Sequence, residues 1–179
     1  MLSKKYIKDY KIEYAKTPKG RLKARAVYKG NFYDFPVTGE RLRKTAMHFA
    51  VLSAASWIAF LVPLFVLSSV ARTPYVLIPH ACLFLPLAGI SSVTVSLWTA
   101  KPPLTREKSD HISRRAPKSA LFMGVFSGMA SLGYLIRLFQ GMETMTLGDL
   151  IFGFCEAILL AASCLLFVAR KWTETMEMK

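Results

Sequence analysis

Residues 45–70 read TAMHFAVLSAASWIAFLVPLFVLSSV, twenty-six residues without a formal charge. At about 1.5 Å of rise per residue, a helix of that length crosses a hydrocarbon core of about 30 Å. Three further apolar runs follow at 75–100, 119–139 and 148–169. The pattern predicts an all-α membrane protein: a four-transmembrane-helix bundle over 45–169, with a small N-terminal cytoplasmic β-hairpin segment inside a basic head at 1–44 and a tail at 170–179.

Lysine and arginine are distributed unevenly between the connections. The head holds 13 basic residues against four acidic ones, a net charge of +9. The connection at 101–118 carries Lys101, Arg106, Lys108, Arg114, Arg115 and Lys118 against Glu107 and Asp110, and the tail opens with Arg170 and Lys171. The two other connections hold only Arg72 and Glu143. The positive-inside rule therefore expects a plasma (inner) membrane protein with both termini and the 101–118 loop in the cytoplasm. No cleavable leader pattern precedes the first run, which is expected to act as an uncleaved anchor. The overall charge of +13 fits attraction to anionic lipids of the cytoplasmic leaflet. Nucleic acid is excluded as a partner because no recognition motif accompanies the charge.

In the head, Tyr10, Ile12 and Tyr14 alternate with Lys11 and Glu13, and Leu22, Ala24, Ala26 and Tyr28 alternate with Lys23, Arg25 and Val27. That period of two, broken by Thr17-Pro18-Lys19-Gly20, predicts a hairpin. Gly30-Asn31 then precedes a short third strand near Phe32. The segment at 104–115, closed by Pro117, is expected to make at most a short surface helix.

Small residues mark close helix packing. Gly124 and Gly128 form a GxxxG in the third span, and Gly153, Ala157 and Ala161 repeat every four residues in the fourth, a spacing that favours contacts within the bundle. Pro63, Pro79 and Pro86 are expected to kink the first two spans. Ser91, Ser92, Thr94 and Ser96 are expected to bond between helices or back to carbonyls. Cys82, Cys155 and Cys164 all lie within spans and read as packed thiols.

Ionisable residues at membrane depth are the candidate site: His80, Arg137 and Glu156. A short connection makes the third and fourth spans neighbours, so an Arg137–Glu156 ion pair with His80 beside it is expected, as an ion-binding or a structural polar cluster. His48 and His111 read as ordinary surface or interface residues. Arg41, Arg43, Lys44, Arg114 and Arg115 are candidate lipid or partner contacts. No metal site follows, since His80 and Cys82 are two apart on a helix and diverge. No hydrolase, phosphate-loop or redox motif is present, so neither catalytic residues nor a cofactor are expected. The expected function is that of a non-catalytic accessory, scaffold or regulatory subunit with a membrane-protein partner or a second copy. The alternative is a small oligomeric transporter or channel with Glu156 as its coupling residue.

Overall fold

The computed structural model describes residues 4–16, 22–35, 39–140 and 145–178. A short 3-10 turn, Lys4–Asp9, leads into β1 (Tyr10–Lys16), which pairs antiparallel with β2 (Leu22–Tyr28). Register places Tyr10, Ile12 and Tyr14 opposite Tyr28, Ala26 and Ala24, so one face of this hairpin is aromatic and aliphatic. The turn expected at 17–20 lies outside the described residues. β3 (Phe32–Asp34) does not extend the hairpin. Lys29 and Gly30 donate their amides to the Asp9 carbonyl and the Tyr28 hydroxyl donates to the Asn31 carbonyl, which turns the chain away. β3 instead forms the centre of a second antiparallel sheet, between β4 (Leu104–Thr105) and β5 (Met176–Glu177).

The helices are α1 (Gly39–Phe65), α2 (Pro74–Cys82), α3 (Phe84–Trp98), α4 (Arg106–Gln140) and α5 (Leu147–Val168). α2 and α3 are one span broken at Leu83. Pro86 has no amide hydrogen for the Cys82 carbonyl, and the Leu83 amide bonds three residues back to His80 instead. The four spans close into a ring in which α1 packs on α3 and α5, and α4 packs on α2, α3 and α5. All four are long and apolar enough to cross a membrane. Their outward surface is itself apolar, with Ile58 64 %, Leu85 73 % and Phe154 70 % exposed, which suits lipid rather than water.

Because β3, β4 and β5 pair, the head, the connection after α3 and the tail meet at one end of the bundle, here called the basic end. Residues 66–73 and the start of α5 lie at the other, the far end.

Two boundaries differ from the sequence expectation. The first helix stops at Phe65, five residues before the apolar run ends, because Ser68, Ser69 and Val70 bond to Asp149 rather than continue the helical ladder. The third starts at Arg106 and runs through Pro117. That polar first part is held against its neighbours: Ile112 and Ala116 are buried, His111 meets Ser92 and Ser96, and the Ser109 hydroxyl bonds Thr175. Tertiary contacts thereby override the proline.

Candidate functional site

His80 is the seventh residue of α2 and Glu156 the tenth of α5, so helical rise sets both well below the far end. Their side chains are 2 % and 1 % exposed, and His80 Nδ1 lies 2.5 Å from Glu156 Oε1. The other imidazole nitrogen, Nε2, is 3.1 Å from the Phe60 carbonyl of α1. A carbonyl only accepts, so Nε2 carries the hydrogen. That carbonyl is next to Ala59, whose usual helical donor is missing because residue 63 is proline. Phe60 stacks on the imidazole at 5.0 Å between centroids and Phe152 tilts against it at 5.4 Å, fixing the ring in plane.

With Nε2 assigned, one proton lies between Nδ1 and Oε1. Either a carboxylic acid donates to a neutral imidazole or an imidazolium donates to a carboxylate. Both forms are neutral overall, which spares the bundle the several kcal/mol cost of a lone buried ion. The arrangement can therefore hold one shared proton. Glu156 Oε2 is buried and has no hydrogen-bond partner among the described residues.

Arg137 takes no part in this, which corrects the expected ion pair. It lies three residues from the end of α4, about 4.5 Å deep by helical rise, whereas Glu156 lies nine residues inside α5, at about 13.5 Å. The mismatch in depth leaves His80 the reachable partner. A mostly apolar cavity of about 230 Å³ at the far end, with Ser68 and Arg72 in its lining, reaches His80 but not Glu156. Toward the basic end, wholly buried Leu83, Leu87, Met123 and Leu159 fill the bundle.

Sequence reasoning missed Asp149, which is also 1 % exposed. It accepts from the Ser68 hydroxyl at 2.7 Å, the Ser69 hydroxyl at 3.2 Å, the Val70 amide at 3.1 Å, and the Thr146 amide and hydroxyl at 2.9 and 2.8 Å. With Thr146 it also makes a reciprocal capping box on α5. The signal was the Thr-x-x-Asp spacing at the mouth of the fourth run. His111 likewise has partners in Ser92, Ser96 and, at 3.3 Å, Arg115.

The small-residue motifs are split by the packing. A Cβ on Gly124 would stand 3.1 Å from Ser163 of α5, and one on Gly153 would run into Tyr134, so both sit at close crossings. Gly128 meets nothing within 4 Å, and Ala157 and Ala161 are exposed. The inward face of α5 is set instead by Phe152, Cys155, Glu156, Leu159, Ala162 and Leu166. Arg41, Arg43, Lys44, Arg114 and Arg115 are all exposed at the basic end, Arg114 within 3.1 Å of Asp110. Among the described residues, no group of three or more His, Cys, Asp or Glu side chains is placed to hold a metal ion.

Fold and apolar outer surface together define a multi-pass membrane protein built as a four-helix bundle. No protein-family model, curated protein or solved structure matches the chain.

Proposed function

We propose that this chain is a non-catalytic accessory, scaffold or regulatory subunit of the plasma membrane, with its basic end in the cytoplasm against anionic lipids. The observation that carries the reading is the hairpin. Its apolar face is open, with Ile12 64 % and Tyr14 71 % exposed, while Lys11 and the Lys29–Glu13 ion pair at 3.2 Å belong to the opposite face. A two-stranded hairpin is marginal in water by itself, and this one is tethered at one end, where Tyr28 accepts from the Arg106 amide and Lys5 and Tyr6 donate to Asp110. A partner surface with an apolar patch complements it. The excess of basic residues at this end supports the cytoplasmic assignment.

The test is purification from native membranes in mild detergent, comparing the native chain with Ile12→Ser/Tyr14→Ser. The expected result is one partner in near-equal amount with the native chain and its loss from the variant at unchanged folded yield. A native chain that purifies alone, or a variant that keeps the partner, overturns the reading.

A small oligomeric transporter or channel is the second reading, favoured by Glu156 Oε2, which has no partner among the described residues, and by a cavity that reaches its neighbour His80. It expects proton or ion flux in liposomes that Glu156→Gln abolishes at unchanged yield. Equal flux from native and variant protein rejects it.

A further inference from the structure

Arg41, Lys44 and His48 stand at i, i+3 and i+7 on α1 and so share one face. Trp172, from the 3-10 turn Ala169–Thr173 that follows α5, faces them, its ring 6.2 Å from that of His48. With Thr45 these side chains line a recess of about 290 Å³. Its level in the membrane follows from α1. Cationic residues end at Lys44, and from Ala46 onward the helix is apolar apart from His48 and its serines. The recess therefore straddles the surface of the span, with cations on its outer side and the half-exposed indole of Trp172 on the inner.

The donors and acceptors around it are unequal. Two permanent cations, an imidazole and an indole N–H are donors. The Thr45 hydroxyl is already spent on the Arg41 carbonyl at 3.0 Å. On α1 the one acid is Glu40, which holds Lys44 at 2.9 Å in a pair whose side chains are 69 % and 79 % exposed and so exchange readily with solvent. On the α5 side, Arg170 lies over the Phe167 ring at 4.1 Å, with exposed Lys171 and Glu174 beside Trp172. Toward the hydrocarbon, exposed Val51 continues the α1 face and exposed Val168 continues α5. A ligand that fits both halves has an anionic head and apolar chains.

We propose that this recess binds the headgroup of an anionic phospholipid, with its phosphate against Arg41 and Lys44 and its glycerol region against Trp172. The site gives a location to the lipid part of the reading above and rests on it only for the presence of an anionic leaflet. It is independent of the hairpin and its partner.

The test uses the full chain in neutral detergent with equimolar phosphatidylglycerol and phosphatidylcholine of identical acyl chains, and native mass spectrometry counts what is retained. Phosphatidylglycerol is expected to be retained in preference, and the preference to fall about fivefold for each cation removed in Arg41→Gln/Lys44→Gln. Trp172→Ala should lower retention of both lipids. Arg114→Gln/Arg115→Gln should leave the preference in place. All the altered side chains are exposed, and a thermal midpoint in phosphatidylcholine checks that each variant is folded. Should the double variant not fold, Lys44→Gln alone provides the same readout. Preference that survives loss of Arg41 and Lys44 but not of Arg114 and Arg115 overturns this site while sparing the lipid reading. No preference in the native chain overturns both. Stabilisation by inorganic phosphate equal to that by phosphatidylglycerol overturns a lipid as the occupant.

Discussion

Asp149 and Glu156 are two carboxylates on one face of α5, seven residues apart and equally buried, yet their surroundings differ in kind. Asp149 meets five donors from three residues of the 66–73 segment and from Thr146, which suit a fully ionised group. Among the described residues, Glu156 has one partner on one oxygen and none on the other. Burial alone therefore says little about a membrane carboxylate. The number and kind of donors decides whether it fastens the fold or shares a proton.

The strongest way to break that contrast is Asp149→Ala, which leaves its donors unmatched and frees the 66–73 segment. We expect a loss of about 3 kcal/mol or more, read as a lowered thermal midpoint in detergent and a reduced folded yield. Gly148→Ala strikes the same fastening from the side. Its new Cβ would clash with the Leu67 carbonyl, a backbone atom, and the expected cost is about 2 kcal/mol by the same measurement.

Glu156→Gln sharpens the comparison from the other carboxylate. The amide N–H can donate to His80 Nδ1 as a carboxylic acid would, so about 1 kcal/mol or less should be lost. A drop as large as that of Asp149→Ala would show that Glu156 is held as an ion and would erase the distinction. Gly128→Ala is the control on α4, remote from both. Its Cβ meets open space, and stability should rise by about 0.5 to 1 kcal/mol.

A third carboxylate, Asp110, is half-way between the two, with Lys5 at 2.7 Å and Tyr6 at 2.9 Å. The hydrogen bond to Asp110 raises the Lys5 pKa above its ordinary 10.5. The Lys5–Asp110 pair's contribution to the tether is therefore complete between the ordinary carboxylate range and pH 10.5, and is lost as pH falls through the lowered Asp110 value or rises through the raised Lys5 value. Protease cleavage of the head should stay slow up to that point and quicken beyond it, the smallest effect of the set because the pair is open to solvent. Cleavage that is unchanged there in Asp110→Asn and native protein alike would remove the tether from the account.

The spans were legible because hydropathy reports lipid exposure directly, and the hairpin because Tyr10, Ile12 and Tyr14 alternate cleanly. His80 and Glu156 were legible as rare ionisable groups in apolar runs. Their pairing was not, because it depends on α2 and α5 facing each other across the bundle at one depth, and the neighbour relation of the third and fourth spans pointed to Arg137 instead. Asp149 was hidden by its place at the edge of a run, where a charge looks like the start of a connection. The continuity of α4 through Pro117 was hidden because it rests on His111, Ile112 and Ala116 finding α3 and the tail. Strands of two or three residues, as in β4 and β5, leave no period to read.

The sheet that joins β3 to β4 and β5 also sets an order of events during synthesis. Its middle strand leaves the ribosome before these four spans, its second strand after two of them, and Met176–Glu177 only after the fourth. The three-stranded sheet can therefore close only after all four of these spans have been made, and a chain stalled with fewer of them has no means of closing it.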